Sequence, residues 1–206
     1  MAIAAKEVNT GLRMSWEEFL EWDNEGFAEW VDGEVVILSS LSLIHARIAR
    51  FLFQCLSYFV NSRESGEVFF EGYLMRMAHL RRARLPDILF IAKGSLVPLE
   101  NQYLDGPADL AVEVVSPDST RRDRREKFEE YEAAGVREYW LIDVPRKEAK
   151  FFILNVSGKY QSADLGEDSI FRSSVLKGFW MDPNWLWQSP LPNPLSISKL
   201  WESSAS

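Results

Sequence analysis

The sequence predicts an α/β (mixed α+β) domain in which a parallel strand–helix–strand unit is combined with antiparallel hairpins. Three observations carry this. Leu110 to Val115 is a nearly continuous apolar strand, Arg121 to Ala134 is patterned as a helix, and Glu138 to Asp143 is a second strand. That order implies a right-handed parallel crossover. Two β-prone runs flank Asp32-Gly33, the signal of a tight hairpin. Between Leu43 and about Asn61, apolar residues recur at positions 44, 48, 51, 52, 55, 56 and 59, which is helical spacing.

In chain order, Ser15 can cap a helix over 14–23, with Glu18 completing a capping box and Met14 and Phe19 forming a hydrophobic staple. Phe27 to Val31 and Glu34 to Leu38 make the N-terminal hairpin. Glu67 to Met77 and Ile88 to Ile91 read as strands. The strand at 110–115 is apolar on both sides, so a central position covered on both faces is expected. Ser116-Pro117 ends it, because proline cannot continue a ladder. Thr120 can cap the next helix, Asp123 stands near its positive end, and Gly135 suits its C-terminal cap. Lys150 to Val156 and Lys159 to Ala163 suggest a closing hairpin around Ser157-Gly158.

A chain of 206 residues, 47% of them hydrophobic, fits one domain over 1–206, with a core at about 14–165 and a C-terminal arm at about 177–206. The arm carries Phe179, Trp180, Trp185, Trp187 and Trp201 among prolines and is expected to pack on the body or on a second subunit. Such an aromatic surface predicts a homodimer. No apolar run reaches the roughly 20 residues needed to cross a bilayer, so no membrane partner is expected. The first residues lack the apolar core of a secretory signal, so a cytoplasmic protein is expected. The single cysteine, Cys55, lies in the apolar helix and reads as a buried thiol.

A net charge of −8 argues against non-specific nucleic-acid binding, which scales with cationic surface. The distribution is uneven, however. Arg81, Arg82 and Arg84 precede Asp87, and Arg121, Arg122, Arg124, Arg125 and Lys127 follow Glu113. These runs are either phosphate-facing or ordinary solvated faces. No P-loop, Gly-x-Gly-x-x-Gly fingerprint, Gly-x-Ser-x-Gly elbow or zinc-ligand spacing is present, which removes most other common enzyme classes.

The chemistry-bearing residues are carboxylates in apolar surroundings. Leu85-Pro86-Asp87 sets an acid at the mouth of one strand, and alternation puts Glu113 alone on the Ala111–Val115 face of another. An isolated ionised carboxylate there needs a metal, a cation or a proton. Lys127 shares a helix face with Asp123 and Tyr131, four residues to either side. If that face looks across the strand end, its ammonium reaches a phosphate or water between the two acids; otherwise it is a surface Asp–Lys pair. Glu29, between Phe27 and Val31, is either a third inward acid or solvent-facing. His45, at the start of the long helix, is a candidate for substrate or supporting contacts. Two acids, a lysine and an apolar sheet are the parts of a magnesium-dependent phosphodiesterase site.

The string Ala28-Glu29-Trp-Val-Asp32-Gly33-Glu34-Val, then His45, Leu85-Pro86-Asp87-Ile, Ala111-Val-Glu113-Val-Val-Ser116-Pro117, Asp123-x-x-x-Lys127 and Tyr131-x-x-x-Gly135-Val-x-Glu138-Tyr139-Trp140-Leu-Ile-Asp143 resembles the Uma-two family. Those proteins are restriction-endonuclease-like members of the PD-(D/E)XK nuclease superfamily. The resemblance covers about residues 14–160. It implies a mixed central sheet flanked by helices, a Mg²⁺ (or Mn²⁺) site and phosphodiester hydrolysis of nucleic acid, DNA foremost, by paired subunits. By position, Asp87 is the motif aspartate, Glu113 the motif acid and Glu29 the additional N-terminal acid, all three then metal ligands and catalytic. One departure stands out: the superfamily lysine two residues after the second acid is Val115 here, and Lys127 is the migrated substitute. The rival expectation is a catalytically silent nuclease fold kept as an interaction or scaffolding module.

Overall fold

In the computed structural model, residues 8–23, 26–38, 41–115 and 121–203 are described. The chain begins with β1 (Val8–Arg13), α1 (Trp16–Glu21) and the hairpin β2 (Ala28–Val31) and β3 (Glu34–Ile37). Next come α2 (Leu43–Arg63), β4 (Gly66–Phe70), β5 (Leu74–Met77), β6 (Arg82–Arg84), β7 (Ile88–Ala92) and β8 (Tyr103–Asp105). The crossover unit is β9 (Leu110–Val115), α3 (Arg121–Ala134) and β10 (Glu138–Asp143), followed by β11 (Glu148–Leu154) and β12 (Tyr160–Ser162). A two-stranded piece, β13 (Phe171–Arg172) and β14 (Trp180–Met181), leads to α4 (Pro194–Ser203).

Local rules account for most of these boundaries. Ser15 caps α1 in a full capping box with Glu18. Asp32 and Gly33 take φ of 52° and 85°, the two positive values that a type I′ turn needs between β2 and β3. The helix over Arg121–Ala134 and the strand over Glu138–Asp143 lie where periodicity puts them. The Ser116-Pro117 break and the Thr120 cap lie outside the described residues, as does the side chain of Asp123.

Two six-stranded sheets form. One has the order β1-β3-β2-β6-β5-β8, the other β12-β11-β10-β9-β7-β4. The second is mixed: β9 and β10 are parallel, and every other pair is antiparallel. Central β9 is covered on both faces, as its unbroken apolarity demands. Leu110, Val112 and Val114 pack with Ile48, Leu52 and Leu56 of α2, while Ala111 packs with Tyr131 of α3 and with Met75 and Met77 of β5.

The expected strand over Glu67–Met77 is divided. Glu71 (φ 34°) and Gly72 (φ 87°) break it, so β4 stays at the edge of the second sheet and β5 joins the first. An apolar run says that both pieces are buried and nothing about which sheet each joins.

The aromatic tail packs on its own body. Phe179, Leu186, Ile197 and Trp201 belong to the same buried cluster as Ile48, Val112 and Trp140. Phe59 of α2 meets Phe179 and Trp201 edge-on, with ring centroids 5.2 and 5.4 Å apart. Buried Glu138 ties the approach to the tail, accepting bonds from Trp140 Nε1 and from the N–H and hydroxyl of Ser174. Of the five aromatics on which the homodimer expectation rested, Phe179 and Trp201 are buried within the chain, and Trp180, Trp185 and Trp187 pack half-buried against the same cluster. No helix among the described residues is long and apolar enough to cross a membrane.

Candidate active site

The two motif acids come from neighbouring strands. β7 runs antiparallel to β9 with Ile88 opposite Val112, and one step further the same register sets Asp87 opposite Glu113. Asp87 is fixed at both oxygens: Oδ2 accepts from the Val114 N–H at 2.6 Å, and Oδ1 lies 2.9 Å from His45 Nε2. His45 stands in the first turn of α2, which Ser42 caps. Burial works to depress the imidazole, but the bond to Asp87 and the charges of Asp87, Glu113 and Glu71 outweigh it and raise its pKa.

Glu113 faces α3. Tyr131 donates its hydroxyl to Oε1 at 2.6 Å, and the Lys127 ammonium lies 3.2 Å from both Oε1 and Oε2. Tyr131 and Lys127 share a face of α3 at a spacing of four residues, and that face is turned to the sheet. The Lys127 side chain is 11% exposed and that of Glu113 is 12%. Burial pushes Glu113 up to about 7, with Asp87 and Glu29 adding repulsion while Lys127 and Tyr131 oppose it.

Glu29 is inward-facing and fully buried. Its Oε2 accepts from Arg84 Nη1 at 2.7 Å, and its Oε1 accepts from the Leu85 N–H at 3.0 Å and lies 3.2 Å from Lys127 Nζ. Burial would raise this acid, but Lys127, Arg84 and the Leu85 N–H hold it down to about 2. Arg84 in turn bonds Glu130 of α3, which also takes Arg82. The arginines before Asp87 thus resolve into separate roles, with Arg84 buried in an ion-pair chain that joins the first sheet to α3 and Arg82 paired with Glu130 and Asp32. Glu29 lies next to the lysine, and its oxygens are engaged by protein donors.

Sequence reasoning missed Glu71. It follows β4, its N–H donates to the Asp87 carbonyl at 3.1 Å, and burial and the Asp87 charge raise its pKa. Glu71 just past the end of β4, Asp87 just before β7 and Glu113 within β9 therefore follow one another where these three adjacent strands line up. The only trace in the sequence is a Glu-Gly pair that interrupts an apolar run, a weak sign of a bulge or break.

The donor set suits a hard divalent cation. Asp87 and Glu113 carry carboxylate oxygens of the kind such an ion takes, and Glu113 is raised chiefly by burial, with the Asp87 and Glu29 charges adding to it. Among the described residues no three acidic or imidazole side chains converge as a ready cage. Mg²⁺ commonly takes only one or two carboxylates, with water and substrate phosphate completing its shell.

Residues 16–184 match the Uma2 family model, described as "Putative restriction endonuclease", and the chain belongs to that family. A solved structure from Anabaena variabilis ATCC 29413, described as "a putative nuclease belonging to DUF820", is similar in fold. The TM-score is 0.63 at 17% identity, over 91% of this chain and 98% of that one. No curated protein matches this chain.

Proposed function

We propose that this chain is a divalent-metal-dependent nuclease that hydrolyses phosphodiester bonds of nucleic acid, with DNA as the foremost substrate. The observation that carries this is the pairing of Asp87 and Glu113 across adjacent strands, with the Lys127 ammonium against Glu113. Family membership and the similar fold support the same class.

Asp87 and Glu113 would hold Mg²⁺ or Mn²⁺, with Glu71, whose N–H bonds the Asp87 carbonyl, contributing through water. Such an ion supplies Lewis acidity toward the phosphoryl oxygens and lowers the pKa of a coordinated water. Lys127 orients the attacking water and offsets charge that grows on the phosphoryl oxygens, which a fixed cation in a partly buried site does without reorganising. Glu29 works through Lys127: anchored by Arg84, it holds the ammonium toward the sheet. His45 and the Val114 N–H aim Asp87, and Tyr131 aims Glu113.

One observation favours a silent scaffold instead. The Lys127 charge is shared between two carboxylates, and no third ligand is in place among the described residues. Calorimetric titration of Mg²⁺ and Mn²⁺ into the protein, with plasmid and single-stranded cleavage assays alongside, separates the two. A nuclease binds metal and cleaves, and Glu71→Gln weakens the metal about 10-fold if Glu71 contributes. A scaffold does neither.

A further inference from the structure

Arg84 divides its guanidinium unequally between two acids. Nε and Nη2 donate side by side to Glu130 of α3 at 2.8 and 3.0 Å, while Nη1 alone donates to Glu29 Oε2 at 2.7 Å. The other Glu29 oxygen is thereby left to the Leu85 N–H at 3.0 Å and to the Lys127 ammonium at 3.2 Å. Glu130 stands three residues after Lys127, so the two share a side of α3. The helix therefore meets the buried Arg84–Glu29 pair at two points, with an acid on the arginine and a cation on the glutamate.

A guanidinium favours two parallel bonds to one carboxylate, and two acids compete here for that fork. Without the Glu130 charge the fork would turn to Glu29 and take both of its oxygens. Lys127 would then lose its second acid and settle on Glu113 alone, across both oxygens that it already approaches at 3.2 Å. An ammonium paired wholly with Glu113 neutralises that acid and has less charge to offer the phosphoryl oxygens.

We propose that Glu130 is a positioning residue for cleavage: by holding the Arg84 fork it keeps Glu29 open to Lys127, and so holds the ammonium between Glu29 and Glu113. The proposal rests on the nuclease reading, in which Lys127 faces the phosphoryl group, and adds to it a residue that touches neither metal nor substrate. Arg82 marks the contrast. It also bonds Glu130 Oε1, at 2.7 Å, but its second acidic partner is Asp32 in the hairpin turn and not Glu29. Arg82 fastens α3 to the first sheet, whereas Arg84 passes the pull of Glu130 on to the lysine.

The test measures kcat and KM for supercoiled plasmid at saturating Mg²⁺, with urea unfolding to show that each variant folds. Glu130→Gln should lower kcat about 10- to 100-fold and leave KM unchanged. Arg84→Lys, which keeps the charge without the fork, should show the same loss, and the double variant no more than either single one. Arg82→Gln loosens the same helix but leaves the fork in place, and should cleave as the wild type does. A wild-type kcat in Glu130→Gln or in Arg84→Lys overturns the proposal, as do additive losses in the double variant. Equal losses in Glu130→Gln and Arg82→Gln reduce Glu130 to a tie between helix and sheet and also overturn it. If Glu130→Gln fails to fold, Arg84→Lys and Arg82→Gln decide by the same outcomes. Lys127→Ala, run alongside, separates the two levels: cleavage by the wild type and by Glu130→Gln, with loss in Lys127→Ala, leaves the nuclease reading intact. A wild type that does not cleave removes both.

Discussion

Lys127 holds its ammonium 3.2 Å from each carboxylate oxygen of Glu113, although the two residues are fourteen positions apart on a helix and a strand. This puts a cation at the acid that Val115, two residues after Glu113, cannot supply. The same ammonium reaches Glu29 on the other sheet, so one side chain ties together α3 and both sheets.

That double pairing changes what Lys127→Ala should do. As a surface pair with Asp123 it would matter by less than about 1 kcal/mol to stability. As the cation between two buried acids its loss should cost about 3 kcal/mol, read as a lower urea midpoint. Cleavage should fall on the order of 100-fold or more. A variant with unchanged midpoint and full activity would remove Lys127 from both roles.

Glu29 gives a pH dependence whose sign is fixed. Its pKa falls from 4.5 to about 2 on folding, so the folded protein binds this proton less tightly than the unfolded chain. The associated stability, about 3 kcal/mol, is complete above pH 4.5 and is lost as pH falls toward 2. Urea unfolding across that window should show a steeper acid loss for the wild type than for Glu29→Gln, which is less stable at neutral pH. Parallel curves would show that Glu29 is not held by Lys127 and Arg84.

Much of the site was legible because strand alternation is a strict rule. It set Glu113 on the face opposite Leu110, Val112 and Val114, and i, i+4 spacing put Lys127 and Tyr131 on one side of their helix. What escaped depends on partners distant in sequence. Whether Glu29 met solvent or the interior depended on Arg84, fifty-five residues on and in a different strand. Glu71 was hidden in what read as one strand, because a change of sheet leaves apolar periodicity intact. Strand β1, Val8–Arg13, has a polar sequence with a glycine at 11 and carries no periodic signal.

The tail was legible as sticky but not as to what it sticks to. Trp201 is 2% exposed, donates its indole N–H to the Trp180 carbonyl at 2.8 Å and packs on Phe59. Trp201→Ala should cost about 3–5 kcal/mol, measured by chemical denaturation. If 1–206 is one domain, the loss should appear in a single cooperative transition. A change below about 1 kcal/mol would mean that the tail is not part of the core.

The most direct measurement is Mg²⁺-dependent conversion of supercoiled plasmid by the wild type and Asp87→Asn in matched preparations, with metal affinity determined for each. The carboxamide introduced by this substitution keeps an oxygen that can accept from the Val114 N–H but loses the charge that faces His45 and the ion. The variant should fold, bind Mg²⁺ at least ~10-fold more weakly and cleave at background, while the wild type cleaves only until EDTA is added. Equal cleavage by the two proteins, or wild-type cleavage that persists in EDTA, would contradict a metal-dependent nuclease centred on Asp87 and Glu113.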